Sequence, residues 1–473
     1  MMRVSLQIGL AVLAWTVVVA TSTAAEPRRP NIVFLLADDM GPGQLGCFGQ
    51  KLIRTPNIDR LAAEGMRFTQ CYAGCCVCAP SRSTLMTGLH TGHTPVRRNG
   101  GGNPLLPEDV TVAEVLKSAG YATGLFGKWG LGDEGTTGIP TKQGFDEFLG
   151  YLHQVHAHFY YPYYLCHNEG RLLLPGNDGG KREQYSHDLI TDAALDFVWR
   201  HKQQPFFLYL AFTIPHVELL VPEDSLAEYR GKFPETPLAT NGHYASQPTP
   251  RAALAGMITR LDRSVGQVMA LLKELNLDDN TIVFFTSDNG GAVGAGTDAE
   301  FFNSTLNLRG HKGALYEGGI RTPMIVRWPG KVQPATTNNL AWAFWDFLPT
   351  AAELAGAQPP PNLDGLSVVP TLMGEKAAGR SQSQHDYLYW EQPAGKNLLQ
   401  AVHAGDWKAV RLRASAPLEL YNLATNPGES TNVAAEHPDV AARLEKLLTT
   451  ARTETRDYPP DATKKTRADY MRD

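Results

Sequence analysis

Cysteine is scarce in this 473-residue chain: Cys47, Cys71, Cys75, Cys76, Cys78 and Cys166 are all of it. Six thiols in so long a chain exclude a disulfide-dense scaffold. No second Cys/His group at zinc-ligand spacing follows the cluster at 75–78, so a structural zinc site has little support. Net basic charge is lacking too, because 43 Lys and Arg face 48 Asp and Glu, a formal −5. Nothing in that balance favours a nucleic-acid partner, although a local cluster of Lys and Arg could still hold a small anion. Apolar runs of membrane-spanning length are missing after residue 25, so no integral membrane association is expected. Repeats and long low-complexity tracts are also missing, which excludes solenoids and leaves disorder to the ends.

What is present begins with a leader. Residues 1–25 carry Arg3, an apolar run from Ile8 to Ala20, and the small residues Ser22, Thr23, Ala24 and Ala25 before Glu26-Pro27. The run is short for a bilayer span and small residues suit cleavage, so the segment reads as a signal peptide rather than an anchor. Losing Arg3 with it moves the formal charge from −5 to −6. Export places the chain in a periplasmic, extracellular or other secretory compartment, where disulfides can form. With 43% hydrophobic residues, the chain can build one large α/β domain with an appendage, or two to three smaller domains.

Periodicity supplies the fold class. Asn31 to Leu36 is a continuous apolar run ending at Asp38-Asp39, and Thr281 to Thr286 is another ending at Ser287-Asp288-Asn289. Such runs suit strands buried on both faces. Tyr121 to Phe126 and Phe206 to Phe212 read as further strands. Helices are expected after Thr55-Pro56, from Thr111 to Ala119, along Leu189, Ala193 and Phe197, and along Leu261, Val265, Val268, Leu272 and Leu275. Alternation of this kind predicts a large mixed, mostly parallel sheet sandwiched by helices, with the ligand crevice at the carboxyl ends of its strands. After about Pro370 the pattern changes to short strands at Tyr387–Trp390, Leu399–Val402, Trp407–Leu412 and Leu418–Tyr421, then a helix from Pro438 to Thr450. The expected organisation is therefore a catalytic domain over 26–370 and a subdomain over 371–473 with a small antiparallel sheet plus helix. The basic tail after Asp457 is expected to lie on the surface.

Chemistry concentrates in Cys78-Ala79-Pro80-Ser81-Arg82, continuing to Thr87-Gly88. Proline suits the first turn of a helix, so Cys78 stands beside a helix N-terminus, an end that favours an anion. A buried structural cysteine is the plain alternative. Asp38, Asp39, Asp288 and Asn289 are hard oxygen donors, suited to calcium or magnesium rather than a soft metal. Turn formation is the plain reading of either pair alone.

The string from Cys78 to Gly88 resembles the C-x-P-S-R-x-x-x-x-T-G signature of the formylglycine-dependent sulfatases of the alkaline phosphatase superfamily. Gly120 to Trp129, with Lys128, resembles the second sulfatase signature; Pro215-His216 resembles the family's histidine segment; Arg309 to Pro323 matches the segment with its second lysine, Lys312. The resemblance implies that Cys78 is oxidised by a formylglycine-generating enzyme. It implies that Asp38, Asp39, Asp288 and Asn289 bind a divalent cation, calcium first and magnesium second, with modified Cys78 completing the shell. The resemblance further implies that one hydroxyl of the hydrated aldehyde attacks sulfur, that Arg82 and the cation stabilise that oxygen, and that deprotonation of the second hydroxyl later expels sulfate. Lys128 and Lys312 surround the sulfuryl oxygens, and His216, then Lys312, are the candidates to protonate the leaving oxygen.

The implied activity is hydrolysis of a sulfate ester, with a small or oligomeric carbohydrate as the expected alcohol, releasing sulfate. A phosphonate or phosphate ester hydrolase on the same scaffold, and an inactive secreted carbohydrate-binding relative, stay open. One departure stands out. The family commonly has G-K-W-H-L-G where this chain has Gly127-Lys128-Trp129-Gly130-Leu131-Gly132. The nearby His153, His156 and His158, in a region that lines the pocket in relatives, are expected to bind substrate. His156 and His158 would share a face of an extended segment and could supply the missing imidazole. A zinc site and a plain aromatic loop are the rival readings of those three histidines.

Overall fold

The computed structural model describes residues 28–100, 104–456 and 465–472; the leader read at 1–25 lies outside them. The large sheet contains β1 (Asn31–Ala37), β2 (Met66–Tyr72), β3 (Ala122–Lys128), β4 (Glu147–Tyr151), β5 (Tyr164–His167), β6 (Gly170–Leu173), β7 (Phe206–Ala211), β8 (Thr281–Ser287), β9 (Arg321–Arg327), β10 (Thr336–Asn338) and β11 (Trp342–Ala343). Its order is β10-β2-β9-β8-β1-β7-β3-β4-β5-β6, with β11 also on β2. β1, β7, β8, β3 and β4 run parallel, while β9 is antiparallel to both β8 and β2.

The apolar run in β1 is explained by what covers it. Val33, Leu35 and Ala37 join one core with helices Pro56–Ala63, Ser186–Arg200 and Pro250–Glu274, whereas Ile32, Phe34 and Leu36 join the other with helices Cys78–Thr87, Val112–Ser118 and Phe347–Ala355. Both faces are dry, so every residue of β1 is buried. The long helix starts at Pro250, well before the stripe that begins at Leu261, because Ala252, Ala253, Leu254 and Met257 continue the buried face.

The C-terminal part forms a separate sheet of β12 (Leu388–Ala394), β13 (Asn397–Ala404), β14 (Trp407–Arg411) and β15 (Glu419–Asn422), antiparallel throughout, with helix Pro438–Thr450 against it. The tail departs from expectation. Tyr470 is only 4% exposed and belongs to a core of the large sheet, and the Tyr163 N–H donates to its carbonyl. An aromatic ring embedded in a basic segment finds an apolar partner across the molecule. Among the described residues no helix is long and apolar enough to cross a membrane.

Candidate active site

Strand register brings the acids together. Ala37 pairs with Ser287 at the end of the β1–β8 ladder, so Asp38-Asp39 and Asp288-Asn289 leave the sheet side by side at its carboxyl edge. Asp39 takes a left-handed backbone (φ 66°), a conformation Asp tolerates better than most residues. Its N–H donates to Asp288 Oδ1 at 3.2 Å, and Asn289 Nδ2 donates to Asp39 Oδ1 at 2.8 Å. β3 ends on the same edge with Lys128.

Cys78 opens helix Cys78–Thr87, 1% exposed, with Sγ 3.4 Å from Asp38 Oδ1. Burial, then the charges of Asp288 and Asp38, push its thiol well above the ordinary range. An unmodified Cys78 is therefore a thiol, not a nucleophilic thiolate. The helix end is already partly satisfied, because Ala79 N donates to Asn99 Oδ1 at 2.8 Å; sequence gave no signal for Asn99. Arg82 lies one turn on and is fully buried. Its Nε and Nη2 donate to Asp288 Oδ2 at 3.1 and 2.8 Å, and its Nη1 to the Lys128 carbonyl at 2.6 Å. Arg82 thus braces Asp288 and the end of β3.

The lysines act on the two aspartates. Lys128 Nζ donates to Asp38 Oδ2 at 2.7 Å and Lys312 Nζ to Asp39 Oδ2 at 2.8 Å. Burial opposes both ammonium charges, but the carboxylates outweigh it and hold both groups above the ordinary lysine range. His216 reaches the same place, with Nε2 3.4 Å from Asp39 Oδ2. Its Nδ1 faces the Val217 carbonyl, which only accepts, so that nitrogen carries the proton. Burial and the two lysines push the imidazolium far below its usual range. With the proton on Nδ1, a neutral His216 turns Nε2 toward Asp39.

The donor set fits a hard divalent cation. Ligand atoms of Asp38, Asp39, Cys78 and His216 lie within 4.8 Å of one another, and buried Asn289 Oδ1 has no hydrogen-bond partner. Carboxylate and amide oxygens dominate, as calcium or magnesium requires.

The histidine-rich segment divides. His156–His158 is a turn of 3-10 helix, so the two rings do not share a face of an extended strand. His156 stacks on Tyr470 (4.3 Å, 7°) and its Nε2 is 3.0 Å from the Tyr164 carbonyl, away from the aspartates. His153 lines a cavity of about 250 Å³ with Asp133, Glu134, Arg171 and Tyr470. His158 alone turns to the site, stacked on His216 (4.7 Å, 16°). His158 Nδ1 is 2.8 Å from His243 Nε2, a residue missed because nothing local in its loop marks it. The three histidines of the segment do not converge on one point, so the zinc reading falls.

Comparison with known proteins follows this geometry. The family model described as Sulfatase matches residues 30–357. The chain belongs to the sulfatase family. A second model, N-sulphoglucosamine sulphohydrolase, C-terminal, matches residues 311–454 of this sulfatase. It is 35% identical to Arylsulfatase A of Homo sapiens over 482 residues, covering 89% of this chain and 88% of that one. It is 32% identical to N-acetylgalactosamine-6-O-sulfatase of Bacteroides thetaiotaomicron over 506 residues, covering 90% and 94%. The crystal structure of Ps i-CgsB in complex with k-i-k-neocarrahexaose matches with a TM-score of 0.75 at 28% identity, covering 89% and 92%. The chain is thus a sulfuric ester hydrolase of mixed α/β fold.

The departure of this sulfatase at Gly130 has a local cause. Gly130 is left-handed (φ 82°), and a Cβ there would stand 2.2 Å from Gln154 Nε2. A second histidine cluster also forms, contrary to expectation: His90, His93 and Asp364 come within 4.8 Å. His90 Nδ1 accepts from Gly92 N at 3.1 Å and His93 Nδ1 lies 2.9 Å from Asp364 Oδ2. Accepting at Nδ1 leaves the His90 proton on Nε2, the atom a metal would need, so the cluster is a hydrogen-bonded latch.

Proposed function

We propose that this sulfatase hydrolyses a sulfate ester of a carbohydrate outside the cytoplasm, using Cys78 oxidised to formylglycine and a divalent cation held by Asp38, Asp39, Asp288 and Asn289. The observation that carries the reading is Cys78 Sγ lying beside Asp38, among three aspartates, two lysines and an arginine. Calcium is the first choice of ion and magnesium the second. When bound, the cation supplies positive charge against a developing oxyanion, and the hydrated aldehyde supplies the nucleophile. Lys128 and Lys312 are placed to receive the sulfuryl oxygens, since each now binds a carboxylate oxygen at the edge of the site. Arg82 holds Asp288 and β3 in place. The leader at 1–25 and a formylglycine-generating partner belong to the same reading, as does a catalytic unit over 26–370 with a subdomain over 371–473. The relatives named above act, by their names, on aryl or N-acetylgalactosamine 6-sulfates, which supports a sulfated sugar as substrate.

The test is a panel of sulfated mono- and disaccharides with an aryl sulfate and an aryl phosphonate monoester, using protein whose Cys78 peptide has been weighed by mass spectrometry. Sulfate release with an aldehyde or its hydrate at Cys78 is the expected result. Full activity with unmodified Cys78, or a preference for the phosphonate, overturns it. Stoichiometric zinc in active protein, without calcium or magnesium, overturns the choice of ion.

A further inference from the structure

Loss of sulfate from a sugar leaves an alkoxide-like oxygen that needs a proton, and His216 is not the lone imidazole at the site. The search for another donor leads to the pair beside it. His158 stacks on His216 at 4.7 Å, and its Nδ1 is 2.8 Å from His243 Nε2. Two neutral imidazoles joined through one hydrogen bond fix each other's tautomers. His243 stands in a loop of partly exposed and exposed residues (Asn241 to Ala245), whereas the neighbours of His158 are the rings of His216, Phe159 and Tyr244. The ring with better access to water is the one that can be replenished with protons.

We propose that His158 donates the leaving-group proton through Nε2, and that His243 is the positioning residue that keeps the proton on that nitrogen. His243 Nε2–H donates to His158 Nδ1, which leaves His158 with Nε2–H. As the bond between sulfur and the leaving oxygen breaks, its electron pair stays on that oxygen. The His158 Nε2–H bond breaks, its electrons stay on nitrogen, and a new O–H bond completes the alcohol. The His243 Nε2 proton moves to His158 Nδ1 as His243 Nδ1 takes one from water. When the second hydroxyl of the nucleophile is later deprotonated, its proton returns to His158 Nε2, the Nδ1 proton returns to His243 Nε2, and His243 Nδ1 gives its proton back to the solvent, so both starting tautomers are restored. Arg467, donating to the His243 carbonyl at 3.3 Å and ion-paired with Glu218 at 3.4 Å, anchors this loop.

The inference rests on the sulfatase reading, and the experiment separates the two. Substituted phenyl sulfates from 4-nitrophenyl to 4-methoxyphenyl are compared across wild type, His158→Ala, His243→Ala and His243→Gln. 4-Nitrophenolate leaves without help, so His158→Ala should alter its kcat little. The 4-methoxyphenyl ester should lose about 100-fold or more, the usual contribution of a positioned acid. His243→Ala should steepen the same dependence, and His243→Gln, whose amide N–H can donate to His158 Nδ1, should restore most of it. Equal losses along the whole series would make both residues merely structural and overturn the proposal, as would no loss. Wild-type protein inactive on every ester would instead sink the parent reading. Nitrogen-15 spectra of histidine-labelled wild type give a check independent of variant folding: a His158 proton resident on Nδ1 refutes the assignment.

Discussion

At the residue scale, the cations of the site have different jobs, and the difference is measurable. Arg82 is fully buried and compensates Asp288, whereas the Lys312 side chain is 20% exposed. Removing one partner of a buried ion pair typically costs about 3–5 kcal/mol. Arg82→Met should therefore unfold the protein at markedly lower denaturant as well as stop turnover. Lys312→Ala should stop turnover and, because this lysine is partly exposed, lower the unfolding midpoint less than Arg82→Met does. Gly130→His supplies the family's common residue yet should not improve the enzyme. Left-handed backbone at a non-glycine residue costs on the order of 1–3 kcal/mol, and its Cβ would meet Gln154 Nε2 at 2.2 Å. Adding Gln154→Ala should recover part of the lost melting temperature; full activity from the single variant would contradict this account.

At the element scale, buried acids organise helix starts. Asp262, inside the long helix Pro250–Glu274, accepts from Ile58 N at 2.8 Å and Asn57 N at 3.0 Å, capping helix Pro56–Ala63 from outside. Orphaning those donors costs about 1–3 kcal/mol, so Asp262→Ala should lower thermal stability by that amount while kcat on an aryl sulfate is unchanged. The strands that carry the acids were legible because β1 and β8 are apolar throughout and stop abruptly at Asp38 and Asp288. β2 was not, because Arg67, Thr69 and Gln70 interrupt its apolar residues where one face is only half covered. β9 was not picked out either, since it begins within the Arg309–Pro323 motif read for Lys312. Cys78, Lys128 and Lys312 could be picked out because they sit in contiguous motifs. Asn99 and His243 could not, since each reaches the site through residues distant in sequence and leaves no local pattern. His156 and His158 were misjudged as a pair because a single turn of 3-10 helix sends their rings apart.

At the scale of the whole molecule, the two sheets are joined by buried polar contacts. Lys408 of β14 lies 2.9 Å from both Glu317 and Glu429, and His385 Nε2 lies 2.8 Å from Asp346 Oδ1. Burial works against the charged His385 ring, but Asp346 outweighs it and raises the pKa. A raised histidine contributes stability fully below its unfolded value, about 6.5, and loses it as pH rises through the folded value. Unfolding free energy should therefore carry a downward component above pH 6.5 that His385→Asn removes; identical slopes in both proteins would refute it. The burial of Cys78 has a further consequence, one of timing. A thiol 1% exposed, closed in by Asp38, Asp288 and Lys312 from opposite ends of the chain, is out of reach of another enzyme once the sheet has formed. On the proposed function, oxidation of Cys78 must then win a race against folding, and the yield of active protein is a ratio of two rates. Long-range strand pairing slows folding, so the topology that gathers the site also holds open the interval in which it can be made. Substitutions that hasten collapse should lower the aldehyde fraction even as they raise stability, and weighing the Cys78 peptide from such variants would read that ratio directly.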